Sequence, residues 1–187
     1  MQRSYEKLPT DLPVPVDDGA CDHLIGLKFP NTILKSTISS DVNLSKIDGT
    51  VVVYCYPMTG KPGVPLPGGW DEIPGARGCT PQSCSFRDCH AELFSLDAKV
   101  YGISMQTAEY QKEMAERLHL PFPVLSDSDM RFCEALNIPT FIVNKTVLMK
   151  RVTMIAFNGL IEMVHYPVFP SNSDASWIIQ YLHSLRK

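Results

Sequence analysis

The chain has 187 residues, 44% of them hydrophobic and 20% charged, with a formal net charge of −3. That length suffices for one domain with a proper core, and the composition is ordinary for a globular protein. The mild acidity argues against nucleic acid or an anionic membrane as partner, and no apolar run approaches the ~18 residues of a membrane-spanning helix. The N-terminal stretch is polar and acidic with prolines at 9, 13 and 15, unlike a signal peptide, so a reducing cytoplasm is the expected location. In that compartment the cysteines at 21, 55, 79, 84, 89 and 133 are expected to be catalytic, metal-binding or buried thiols, not a permanent disulfide framework.

Residues 1–23 read as a loosely ordered arm, and residues 24–187 as a single domain. A β-type segment is expected over 32–39. Residues 51–56 (VVVYCY) form a short apolar run rich in β-branched and aromatic side chains, which predicts a buried central strand. Residues 57–78 hold five prolines and six glycines, so a long loop without regular structure is expected there. Loops of that length inside a compact domain are usually functional. A helix follows over 80–97, with Pro81 tolerated in its first turn. Residues 100–105 predict a strand, and Thr107 caps a helix running to about His119. Residues 122–125 lead into Asp127-Ser128-Asp129, a start signal for a helix over 130–136. Residues 151–157 and 160–168 flank Asn158-Gly159, the strongest hairpin signal in the chain, and a last helix runs from 171–173 to about Leu185. This order predicts an α/β protein of thioredoxin-like fold, a central mixed β-sheet flanked by helices.

The segment GCTPQSCSFRD (78–88) begins where the loop stops and the helical pattern starts. Cys79 therefore falls at a helix N-terminus, where unpaired backbone N–H groups and the dipole favour thiolate over thiol. Cys84 lies five residues on. In an intact helix that spacing puts the two Cα atoms roughly 8–9 Å apart, beyond the ~7 Å reach of a disulfide. The pair closes only if the first turn unwinds, which suits a transient disulfide and not a permanent staple.

These residues resemble the peroxiredoxins of the Q type, the bacterioferritin-comigratory group. That family has a similar strand ending in Tyr-Pro, then Pro-Gly-Cys-Thr, a second cysteine five positions later, and Phe-Arg-Asp; here they are VVVYCYP and GCTPQSCSFRD. The resemblance runs from about residue 24 to the end. It implies a thiol peroxidase that reduces hydrogen peroxide and organic hydroperoxides, with Cys79 peroxidatic and Cys84 resolving. It also implies recycling by thioredoxin or a similar dithiol, a monomer or homodimer, and no cofactor or metal. Arg151, just before a late strand, matches the family arginine that polarises the peroxide and holds the thiolate; Arg87 matches one that the family often retains. The family places Thr or Ser three residues before the cysteine and Pro seven before it. Here Ala76 occupies the first position and Pro57 lies 22 residues away, which implies an insertion of about 15 residues in the active-site loop. Thr59 then becomes the candidate for the hydroxyl that meets the peroxide, and the extra loop with Trp70 a candidate lid or dimer contact.

Several competing readings stand beside this one. Cys55 in a strand and Cys133 on a helix face suit inert core thiols, and Cys21 in the arm has no role. Cys79, Cys84 and Cys89 form C-x4-C-x4-C beside His90, but spacings of five spread sulfurs around a helix instead of converging them on a metal. Cys89 or an external thiol remains open as the resolving group. A peroxide-sensing thiol switch without efficient turnover is the alternative function, and the absence of C-x-x-C disfavours a general disulfide reductase.

Overall fold

The computed structural model describes residues 7–38 and 40–186. Its centre is β2 (Thr50–Cys55), whose side chains alternate between two cores as the pleat requires. Val51, Val53 and Cys55 enter one core; Val52, Tyr54 and the following Tyr56 enter the other. A strand buried on both faces reads as a continuous apolar run, which is why VVVYCY carries no alternation of its own.

Six strands form the main sheet in the order β1 (Lys35–Ser36), β4 (Val124–Ser126), β3 (Ala98–Ser104), β2, β7 (Val152–Phe157) and β8 (Leu160–His165). β2, β3 and β4 run parallel, while β1, β7 and β8 pair antiparallel, so the sheet is mixed as expected. Asn158 and Gly159 both have positive φ in the β7–β8 turn, as a two-residue hairpin of matching twist demands. One face is covered by α4 (Arg131–Leu136), through Phe132, Cys133 and Leu136, together with Leu24 and Cys21. The other is covered by α1 (Cys79–Asp88), α2 (His90–Ser95), α3 (Ala108–Arg117) and α5 (Asp174–Ser184), through Phe86, Leu93, Met114 and Ile178. Thr107 caps α3 by accepting from the Tyr110 N–H at 3.2 Å.

The structure corrects several sequence expectations and adds one element. The helix predicted over 80–97 is two helices, because the chain leaves helical geometry at Cys89 (φ −93°, ψ 1°). The β-type segment over 32–39, whose last residue lies outside the described residues, contracts to the two residues of β1. The loop over 57–78 contains one turn of 3-10 helix, Trp70–Glu72. A separate hairpin, β5 (Thr140–Val143) and β6 (Thr146–Met149), was not legible, since its turn is Asn144-Lys145 and lacks the usual glycine although both residues take positive φ. The N-terminal segment is tied down at its far end: Asp18 pairs with Lys150 at 2.8 Å and accepts from the Tyr166 hydroxyl at 2.8 Å. Cys21, expected in a loose arm, is buried at 2% exposure.

Gly102 in β3 lies against the buried Tyr54 ring, and a Cβ there would fall 2.7 Å from Tyr54 Cζ. Tyr54 cannot retreat, because it stacks on Phe86 with centroids 4.5 Å apart. Gly102→Ala should therefore destabilise the fold by about 1–3 kcal/mol, the usual cost of overpacking a core, measured by urea denaturation. An unchanged midpoint would mean the contact relaxes freely.

Candidate active site

β2 ends at Cys55, the chain leaves through Pro57 into the long loop, and it returns at Gly78 to open α1 with Cys79. Gly78 has φ +113°, and a Cβ on it would lie 2.2 Å from Ser171 Oγ, so glycine is required at the entry to the helix. Its carbonyl accepts from Ser171 Oγ at 2.9 Å and from the Gln82 N–H at 3.0 Å. Gly78, at the N-cap of α1, has no side chain with which to cap it, and the helix's first N–H groups and positive dipole end lie at the cysteine.

Register brings the arginine to the same place. β7 pairs antiparallel with β2, with Val152 opposite Cys55, which puts Arg151 at the end of β2 from which the loop departs. Arg151 is 4% exposed. Its Nη2 donates to Cys79 Sγ at 3.3 Å, to the Ala76 carbonyl at 3.2 Å and to the Arg77 carbonyl at 3.4 Å. Its Nε donates to the Gly75 carbonyl at 3.3 Å, and Nη1 donates to Gln82 Oε1. Gln82 in turn donates through Nε2 to Asp174 Oδ2 at 2.6 Å. Arginine only donates and a carboxylate only accepts, so the orientation of the Gln82 amide is fixed by its two neighbours. Asp174, fully buried, also accepts from Thr153 Oγ1 at 2.6 Å and meets His165 Nδ1 at 2.8 Å.

Cys79 opens onto a narrow crevice lined by Met58, Leu66, Trp70 and Arg77, with about 10 Å³ available to the centre of a water-sized sphere. That is roughly the room one water needs. A larger cavity of about 220 Å³, lined by Val16, Ile73, Phe141 and Tyr166, reaches Arg151 but not Cys79. The loop forming the crevice is itself anchored. Trp70 and Ala76 pack with Val143 and Leu148 of the β5–β6 hairpin.

The remaining predicted residues have partners of their own. Thr59 is buried, and both its N–H and its hydroxyl donate to Gln106 Oε1, at 2.7 and 3.2 Å; Gln106 Nε2 returns a bond to the Thr59 carbonyl at 3.1 Å. Arg87 pairs with Asp88 at 2.8 Å and donates to the Leu118 carbonyl at 3.1 Å. Cys84 is half-buried on α1, and Cys89 half-buried at the break after it. Sequence reasoning missed Gln82, Gln106, Ser171 and Asp174. Only Gln82 carried a signal, lying three residues after Cys79 and so on the same helix face.

All six cysteines are thiols, and burial disfavours the thiolate at four of them. Burial pushes Cys21 and Cys133 up to about 12 and Cys55 well above its usual value. Burial, with Glu92 and Asp88 nearby, also raises Cys89. Brief alkylation of the native protein at pH 8 should therefore leave Cys21, Cys55 and Cys133 unmodified until denaturant is added, as read by peptide mass mapping. Early labelling of any of the three would contradict the packing described.

Comparison with known proteins places the chain. The Redoxin family model matches residues 24–179. Chloroplastic peroxiredoxin Q of Sedum lineare is 30% identical over 84% of this chain and 76% of its own length. Peroxiredoxin Bcp of Bacillus subtilis is 32% identical over 61% of this chain and 64% of its own. Among solved structures, peroxidoxin BcpB of Mycobacterium tuberculosis superposes with a TM-score of 0.70 at 23% identity, covering 87% of this chain and 98% of that one. Peroxiredoxin Q of Xanthomonas campestris gives 0.65 at 18% identity, over 95% and 100%. The structural likenesses bear out the thioredoxin-like fold. On the matched family model and these relatives, the chain belongs to the redoxin family and is a peroxiredoxin of the Q and Bcp kind, a thiol peroxidase.

Proposed function

We propose that Cys79 is the peroxidatic cysteine, Cys84 the resolving cysteine and Arg151 the residue that orients and polarises the peroxide. The observation that carries this reading is the 3.3 Å contact between Arg151 Nη2 and Cys79 Sγ at the opening of α1. The Cys79 thiolate attacks the terminal oxygen of a hydroperoxide. The O–O bond breaks, the sulfur is oxidised to sulfenic acid, and the departing hydroxide or alkoxide takes a proton to become water or alcohol. Arg151 cannot deprotonate at working pH, so it offers a fixed charge to the sulfur and to the oxygen on which negative charge develops. The crevice at Cys79 suits hydrogen peroxide and the hydroperoxyl end of small organic hydroperoxides.

Both cysteines lie within α1, which in its folded form keeps their Cα atoms about 8–9 Å apart. Resolution requires the first turn to open. The Cys84 thiolate then attacks the sulfenic sulfur, the S–O bond breaks, and hydroxide leaves as water after protonation. Thioredoxin or a similar dithiol returns two electrons by thiol–disulfide exchange. Phe86, stacked on Tyr54 in the core, holds the body of α1 while its start unwinds. Cys79, Cys84 and Arg151 all belong to one chain, which supports function as a monomer or as a homodimer of independent sites. Six thiols in one chain suit a reducing compartment such as the cytoplasm. The family model begins at residue 24, which supports a catalytic domain over 24–187 with the preceding arm as an addition. Thr59 takes the role of positioning the loop over Cys79 through Gln106, and Arg87 that of bridging α1 to the end of α3.

The test is peroxide consumption coupled to a thioredoxin system. Cys79→Ser should abolish turnover, and Cys84→Ser should abolish the thioredoxin-linked part while leaving one oxidation event per chain. Continued recycling by Cys84→Ser would move resolution to Cys89 or an external thiol; a wild type that consumes a single equivalent with every dithiol tried would favour the sensor reading. Arg151→Met should lower kcat/KM for peroxide by about 10²–10³, the usual cost of removing one preorganised donor. A loss below threefold would remove Arg151 from the chemistry.

A further inference from the structure

Resting on the assignment of Cys79 and Cys84 above, we propose that Asp174 is a positioning residue that latches the first turn of α1 and thereby sets how fast the sulfenic acid is resolved. Gln82 lies between the two cysteines, so the turn that must unwind for them to meet is the turn that carries Gln82. In the folded helix Gln82 is fully buried, held by Arg151 on one side and by Asp174 Oδ2 at 2.6 Å on the other. Asp174 has no freedom to follow. It opens α5, is fully buried, and is held by Thr153 at 2.6 Å and His165 at 2.8 Å; His165 itself stacks on Trp177 with centroids 4.1 Å apart. A second bond from the same segment, Ser171 Oγ to the Gly78 carbonyl at 2.9 Å, grips the residue before Cys79.

Unwinding the turn therefore detaches Gln82 from a buried carboxylate, which retains two of its partners but loses a charge-assisted bond. The same bond, through the fixed Gln82 amide, keeps Arg151 aimed at Cys79. One residue thus acts with opposite sign on the two steps, favouring oxidation of Cys79 and retarding its capture by Cys84. A residue that supported the fold away from α1 would shift both steps in one direction.

Single-turnover kinetics separates the steps. Peroxide consumption in a Cys84→Ser background reports the first, and acid-quenched alkylation with mass spectrometry reports formation of the Cys79–Cys84 disulfide. With Asp174→Ala, the first step should slow about tenfold and the second accelerate about tenfold, the scale of one hydrogen bond to a charged group. Asp174→Asn, whose amide oxygen can still accept from Gln82 and Thr153, should return both rates to within about threefold of wild type. If Asp174→Ala does not fold, Gln82→Leu removes the latch from its other end and should give the same pair of opposite changes. Unchanged rates, a joint fall in both, or failure of Asp174→Asn to rescue would overturn the latch. A wild type that forms no Cys79–Cys84 disulfide would end the Cys84 assignment together with the latch; failure of the latch alone leaves that disulfide forming in wild type, with no pair of opposite changes in the variants.

Discussion

Arg151 carries a permanent positive charge to a position where it is 4% exposed, and the architecture around Cys79 follows from satisfying it. Taking a guanidinium out of water costs several kcal/mol unless its donors are met. The carbonyls of Gly75, Ala76 and Arg77, the Gln82 amide and the Cys79 sulfur meet them. Those three carbonyls belong to the end of the long loop, so the loop's return to α1 is shaped around the arginine. The sulfur is the one partner in the set that can take on negative charge, and it is also the group we propose to react. The same contacts that make the buried charge tolerable thus place it beside Cys79, the proposed nucleophile.

The long loop over 57–78 deals with a related problem, how to cover the Cys79 sulfur without closing it off. Gly and Pro give the segment its turns but little cohesion. Cohesion comes from outside it: Trp70 packs on the β5–β6 hairpin, Gln106 exchanges hydrogen bonds with Thr59, and Lys61 lies 4.3 Å from the centre of the Tyr110 ring. The outcome is a cover with a water-sized opening beside Cys79, built from parts of the chain far apart in sequence. Beneath it α1 has two unequal ends. Phe86 is locked into the core, whereas the first turn depends on a few polar contacts from Arg151, Ser171 and Asp174.

What could be read from sequence follows from how local each signal is. The strand at VVVYCY, the Thr107 cap and the Asn158-Gly159 turn are set by neighbouring residues, and each appears in the structure near its expected place. Cys79 and Arg151 were legible from motif resemblance, since nothing in spacing alone links residues 72 apart. The β5–β6 hairpin escaped because Asn144 and Lys145 take up positive φ without glycine. The break at Cys89 escaped because the apolar pattern continues across it in α2. Asp174 was invisible in principle: a carboxylate at a helix start reads as a solvent-exposed dipole partner, and its burial depends on Gln82, Thr153 and His165 arriving from three other elements. Cys21 looked loose because its neighbours are polar, whereas Leu24 and the anchoring of Asp18 draw it into the core.

The proposed chemistry requires the Cys79 sulfur to be the atom that takes oxygen from peroxide. The most direct measurement is to treat the Cys84→Ser protein with one equivalent of hydrogen peroxide in the presence of dimedone, then map the adduct by peptide mass spectrometry. Dimedone traps sulfenic acid and leaves thiols alone, so it marks the oxidised sulfur itself. A near-stoichiometric adduct is expected on the peptide containing Cys79 and none on those containing Cys21, Cys55, Cys89 or Cys133. An adduct centred on another cysteine, or peroxide consumed with Cys79 unlabelled, would contradict it.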